Sequence, residues 1–222
     1  MTRTLTLIAA LACLAVGGWV LTNQNQTTVD PIGAAFAQDA SDVDTSMIKD
    51  MSLGNPEATV TVIEYASFTC PHCASFHADS FKQLKADFID TGKINFIYRD
   101  VYFDRPGLWA AIVARCGEGA ENRFFGIADL IYERQNQWAR ANDPQQIVNQ
   151  LRTIGKTAGL TDPQLDACFS DGDKAQALYA YYLQNAEEDG INSTPSFVIN
   201  GQKYSNMAYD EMKQLIESKL DS

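Results

Sequence analysis

The chain has 222 residues, 45% of them hydrophobic, enough for one substantial core. Its formal net charge of −11 leaves no basic patch to meet phosphates, which argues against nucleic-acid binding. At the N-terminus, Arg3 precedes an uncharged, nearly all-apolar run from Leu5 to Leu21. That run is longer than most secretory h-regions and slightly shorter than a full membrane span. Ala35-Phe36-Ala37 then offers an A-x-A cleavage site before Gln38. Residues 1–37 are therefore expected to be a signal peptide cut near Ala37-Gln38, or an anchor that holds the protein to the inner membrane by residues 5–21. Either places the folded part outside the cytoplasm. Residues 38–46 are polar and read as a linker, and the folded domain is expected over 47–222.

Gly54-Asn55-Pro56 reads as a turn, and the β-branched run Val60-Thr61-Val62-Ile63 marks a strand at about 59–66. Phe81, Leu84 and Phe88 recur at helical spacing, so a helix is expected from about 71 to 90, stopped by Gly92. Ile94, Phe96 and Tyr98 alternate as in a strand over 93–100. Strand, helix, strand is the crossover of a parallel pair. Residues from about 105 to 189 then show only helical patterning. Pro106, Asp143 before Pro144, and Thr161-Asp162-Pro163 mark helix starts there. Thr194 to Ile199 reads as a strand, Asn200-Gly201 as a two-residue hairpin, Gln202 to Tyr204 as an edge strand, and Tyr209 to Leu220 as a closing helix. This order fits an α/β thioredoxin fold with a helical insertion between its two halves.

The chemistry concentrates at Cys70-Pro71-His72-Cys73. Pro71 suits a first helical position, which puts Cys70 at a helix N-terminus, where unpaired N–H groups and the helix dipole favour an anion. A thiolate is such an anion and is the reactive form of cysteine. Cys70 then reads as the nucleophile of thiol–disulfide exchange and Cys73, one turn further in, as the resolving thiol. His72 would favour the thiolate through its imidazole, against the alternative of a solvated surface residue. His77, a full turn beyond, is expected to be a surface or half-buried residue. Beyond the leader, Cys70, Cys73, Cys116 and Cys168 allow three disulfide pairings, and the adjacent C-x-x-C favours 70–73 with 116–168. No metal or cofactor is expected. There is one C-x-x-C without a second Cys/His pair at zinc-finger spacing, and Ala74 stands where a c-type haem site needs histidine.

Phe68-Thr69-Cys70-Pro71-His72-Cys73, Thr194-Pro195 and the helical block between them resemble the DsbA-type thiol:disulfide oxidoreductases of the thioredoxin superfamily, over about residues 47–222. The resemblance implies that Pro195 is a cis proline beside the C-x-x-C and that the backbone of Thr194 pairs with substrate. It also implies that Glu64 is a buried acid assisting proton transfer. Phe68, Phe76, Trp109 and Tyr204 are expected to be core.

The function implied is an exported dithiol oxidase acting in the periplasm, a monomer that gives its disulfide to unfolded exported proteins. A membrane quinone-linked partner would reoxidise it. A disulfide isomerase or reductase on the same fold, kept reduced by a reductant partner, is the first alternative. A non-catalytic peptide-binding chaperone is the second.

Overall fold

The computed structural model describes residues 42–141 and 143–221. The leader expected over 1–37, with residues 5–21 and the Ala37-Gln38 site, lies outside the described residues, as does the start of the linker. Strand β1 (Met51–Gly54), β2 (Val60–Ala66), β3 (Ile94–Asp100), β4 (Ser196–Ile199) and β5 (Gln202–Ser205) form one sheet of order β1-β3-β2-β4-β5. β2 and β3 run parallel at its centre, and the other pairs are antiparallel. β3 alternates buried and half-buried residues along its length, which is the period-two pattern of its sequence. Asn200 and Gly201 both have positive φ (47° and 79°), as the tight β4–β5 turn requires. β1 was not expected, because four residues are too few to display an alternation.

The helix expected over 71–90 is interrupted. Helix α1 (Pro71–Ala78) ends at Asp79, whose φ of −131° and ψ of −76° are not helical. Helix α2 (Ser80–Leu84) follows, then a π-helical turn over Lys85–Ile89. The π turn leaves the adjacent Phe88 and Ile89 both buried.

The insertion between β3 and β4 contains α3 (Arg105–Ala114), α4 (Ala120–Glu133), the short α5 (Gln135–Trp138), α6 (Pro144–Thr157), α7 (Asp162–Ser170) and α8 (Gly172–Glu188). Helix α9 (Tyr209–Leu220) closes the chain. The side chains of Asp104, Asp143 and Thr161 cap α3, α6 and α7 by accepting backbone N–H bonds. At Gly155 of α6 a Cβ would lie 3.0 Å from Leu165 and 3.2 Å from Val113, so glycine permits α3, α6 and α7 to approach closely. One hydrophobic core runs from the sheet into the insertion, joining Val62 and Phe96 to Phe124, Ile131 and Leu151.

Cys116, just after α3, and Cys168 of α7 form a disulfide across a sequence separation of 52. Closing a loop of that size contributes roughly 4 kcal/mol in the chain-entropy model, an upper figure. Cys116→Ala/Cys168→Ala should therefore lower unfolding stability by up to about 4 kcal/mol in urea while leaving exchange at Cys70 intact. Non-reducing peptide mapping should recover a linked 116–168 peptide; two free thiols there would remove the basis of the estimate.

Candidate active site

β2 delivers the site. After Ala66 the chain turns tightly, with the Cys70 N–H donating to the Ser67 carbonyl at 3.0 Å. Cys70 becomes the N-cap of α1, with φ −78° and ψ 120°, and Pro71 starts the helix. Cys70 is 9% exposed and Cys73 is 0% exposed, so only Cys70 is reachable from outside. Both sulfurs are free thiols.

The two thiols differ sharply in acidity. Cys70 is lowered to about 5, first by a hydrogen bond from the Cys73 thiol, against the opposing effect of burial. The N–H groups of Cys73 and His72 also favour the anion, although Cys70 makes no side-chain cap hydrogen bond to α1. The neutral Cys70 thiol donates to the Thr194 carbonyl at 3.4 Å. The buried Thr194 hydroxyl, without a partner of its own, is placed to donate to the thiolate instead. Cys73 is pushed far up, first by burial, then by its bond to Cys70 and by the charge of Glu64.

Thr194-Pro195, a cis peptide just before β4, and the cysteine pair are thus brought together. Glu64 lies fully buried in the central strand, opposite Tyr98 of β3 and Phe197 of β4. His72 is exposed, and its backbone N–H favours the Cys70 anion. His77 is neither the surface nor the half-buried residue expected. It is 4% exposed, and its Nε2 lies 3.0 Å from Glu64 Oε2. The i, i+4 spacing puts His77 on the same helix face as Cys73, and that face turns inward. Phe68 and Phe76 are core, as expected, while Trp109 and Tyr204 pack against it half-buried. Among the described residues no group of three or more His, Cys, Asp or Glu converges to hold a metal.

Two anchoring residues escaped the sequence reading. Buried Gln135, at the start of α5, donates from Nε2 to the carbonyls of Phe68 (2.8 Å) and Cys70 (2.9 Å). Asp104 accepts from Thr69 Oγ1 (2.9 Å) with one carboxylate oxygen and caps α3 through the Gly107 N–H (2.8 Å) with the other. Asp104 carries a sequence signal, an Asp just ahead of Arg105-Pro106. Gln135 carries none, because a buried glutamine in a helical run looks like any surface glutamine.

A thioredoxin family profile matches residues 46–218. The chain belongs to the DsbA-like thioredoxin family. It is 34% identical over 172 residues to a Rickettsia prowazekii protein named "Putative protein-disulfide oxidoreductase", covering 78% of this chain and 62% of that one. It is 26% identical over 175 residues to disulfide bond formation protein D of Bacillus subtilis, covering 76% of each. The crystal structure of Wolbachia pipientis alpha-DsbA1 superposes with a TM-score of 0.72 at 26% identity, over 79% of this chain and 92% of that one. The chain thus spans about three fifths of the Rickettsia prowazekii relative.

Two measurements probe this DsbA-like site. Thiolate absorbance of the reduced protein should titrate as one group with a midpoint of about 5, and alkylation with substoichiometric reagent should label Cys70 alone. Gln135→Leu removes both donated bonds, costs about 1–3 kcal/mol for the buried carbonyl it strands, and frees the turn that aims the sulfur. The Cys70 midpoint should rise in that variant, and an unmoved midpoint would reduce Gln135 to a packing residue.

Proposed function

We propose that the protein is an exported dithiol oxidase that passes a Cys70–Cys73 disulfide to newly secreted proteins in the periplasm. The observation that carries this reading is the asymmetry of the pair: an acidic, reachable Cys70 against a buried Cys73 whose thiol resists ionisation. Substrate thiolate attacks Cys70, Cys73 leaves, and a second substrate thiolate then expels Cys70 as a stabilised anion. Glu64 acts as the buried acid that returns a proton to Cys73. The Thr194 backbone pairs with the extended substrate, Pro195 shapes that strand end, and the His72 imidazole tunes Cys70 from the solvent side. The partners are unfolded exported proteins and a membrane quinone-linked reoxidase, and the protein works as a monomer without a cofactor. Cleavage near Ala37-Gln38 releases it; retention by residues 5–21 would tether the same domain to the inner membrane. The names of the Rickettsia and Bacillus relatives agree with disulfide chemistry.

Purified protein should oxidise a reduced unfolded substrate, and Cys73→Ala should accumulate mixed disulfides through Cys70. Adducts mapping to Cys116 or Cys168 instead would misplace the nucleophile. A Cys70→Ala protein that still protects substrates from aggregation but forms no disulfides would favour the chaperone role. Trapping in intact cells separates the remaining directions: a mostly oxidised 70–73 pair means oxidase, a mostly reduced pair means isomerase or reductase.

The thiolate also links redox state to stability. The Cys70 pKa falls from an unfolded 9.0 to about 5 in the fold. A depressed pKa contributes stability that is fully present above the unfolded value and lost as pH falls through the folded one. The oxidised protein has no such thiolate. Between about pH 5 and about pH 9 the stability gap should therefore shift toward the reduced form by about 1.4 kcal/mol per pH unit. Near pH 7 the thiolate then contributes about 2–3 kcal/mol, comparable to the roughly 2 kcal/mol that a four-residue disulfide loop contributes to the oxidised form. Urea unfolding of both forms across this range measures the slope, and a flat gap would deny Cys70 its role.

A further inference from the structure

Behind Cys73 lies a buried pair that the cysteines alone do not explain. Glu64 is 0% exposed and His77 4%, with 3.0 Å between Oε2 and Nε2. Glu64 Oε1 and His77 Nδ1 are both buried without a hydrogen-bond partner. Such orphaned atoms are costly to bury, and a purely structural site would gain from apolar side chains of similar size. The ring is held firmly. It stacks on Tyr132 of α4 at 4.3 Å and 20°, with Phe81 of α2 at 4.6 Å. The Tyr132 hydroxyl is occupied by that of Tyr98 at 2.7 Å. The titratable groups facing the pair are Cys73 on its own helix, Tyr98 on β3, and Tyr132 and Asp129 on α4.

We infer that His77 is a positioning residue in a two-member proton relay, holding through Glu64 the proton that Cys73 takes up when it leaves the disulfide. The inference rests on the redox role proposed for Cys70 and Cys73. An incoming thiolate forms a bond to Cys70 Sγ, and the Cys70–Cys73 S–S bond breaks with its electron pair going to Cys73 Sγ. That anion would sit in a dry site beside the Glu64 carboxylate, where burial and like charge both oppose it. A proton passes from the Glu64–His77 pair to Cys73 Sγ, and the pair later regains one from water. In the reverse direction the same pair accepts the proton of Cys73. The i, i+4 placement puts Cys73 and His77 on one inward face of α1, with Glu64 of β2 paired to His77 and near enough for its charge to act on Cys73.

Reduction of the oxidised protein by excess glutathione, followed from about pH 5 to about pH 9, tests this. The proteins compared are the wild type, Glu64→Gln, His77→Gln and the double variant. Both amides keep a hydrogen-bonding group and lose the proton site. His77→Gln should slow exchange about tenfold or more near neutral pH, part of the 10²–10⁴ typical of direct acid–base catalysis. The deficit should shrink toward acid pH, where solvent supplies the proton. The double variant should be no slower than Glu64→Gln, because members of one relay are not additive. It also leaves no unpaired charge, so it remains informative should His77→Gln unfold. A His77→Gln rate equal to wild type, a deficit independent of pH, or additive losses in the double variant would each overturn the relay. The assay needs only the cysteine pair, so it decides the relay whether or not the protein proves to be an oxidase on unfolded substrates.

Discussion

The site depends on a steep change of surroundings within one helical turn. Cys70 sits where α1 presents unpaired N–H groups, and Cys73 sits fully buried in the core, where the charge of Glu64 also opposes its ionisation. Proline at position 71 enforces the boundary, because it can begin a helix but cannot continue one from an earlier turn. A helix end alone is worth only about 0.3–1 kcal/mol to an exposed anion. The larger depression at Cys70 comes first from a hydrogen bond from the Cys73 thiol, which burial keeps protonated. Each cysteine therefore sets the other: the buried one supplies the proton and the bordering one accepts it.

Holding that boundary in place falls to the insertion. Asp104 and Gln135 reach back from its helices to Thr69, Phe68 and Cys70, so three consecutive residues ahead of α1 are tied to it. A residue can position a site only if it is itself fixed. Asp104 is fixed by capping α3. Gln135 follows α4, whose Phe124, Ile127 and Ile131 are buried, and precedes Trp138, whose indole N–H donates to the Ile131 carbonyl at 2.9 Å. The disulfide and the close contact at Gly155 brace α3 against α6 and α7. The insertion is thus part of the scaffold that holds the cysteine pair in place.

How much of this the sequence disclosed follows from the range of each interaction. Periodicity, prolines and caps are local, so β2, β3, the helices of the insertion and the Asn200-Gly201 turn were legible. The C-P-H-C motif was legible from its own spacing and the proline that starts the helix, and Thr194-Pro195 through a family resemblance that brings together positions 124 residues apart. Gln135, the Glu64–His77 pair and strand β1 were not. Each takes its meaning from a partner distant in sequence: the Cys70 carbonyl, a facing strand, or the edge of β3. His77 was misplaced for an instructive reason. An ionisable residue in a short polar stretch reads as surface, and only the carboxylate of Glu64 lets it be buried. The break at Asp79 escaped for the opposite reason, since Pro71 marks a helix start before it and Phe81, Leu84 and Phe88 keep helical spacing after it.

The same asymmetry bears on direction. After a thiolate attacks Cys70, the mixed disulfide has two fates. A second substrate thiol can expel Cys70, or Cys73 can attack and release the substrate unchanged. Rates of exchange rise with the thiolate fraction of the attacker and with the acidity of the leaving thiol. Cys70, at about 5, is the better leaving group of any pair it forms with an ordinary cysteine. Cys73, once reprotonated in its buried site, is a poor attacker because so little of it is thiolate. Release by the second substrate thiol therefore gains from the acidity of Cys70, while escape through Cys73 is slowed by burial. An isomerase needs the opposite balance, since it must leave wrong pairings quickly. In the function proposed here, the placement of one thiol at the helix end and the other in the core would thus favour completing a disulfide in the substrate over withdrawing from it.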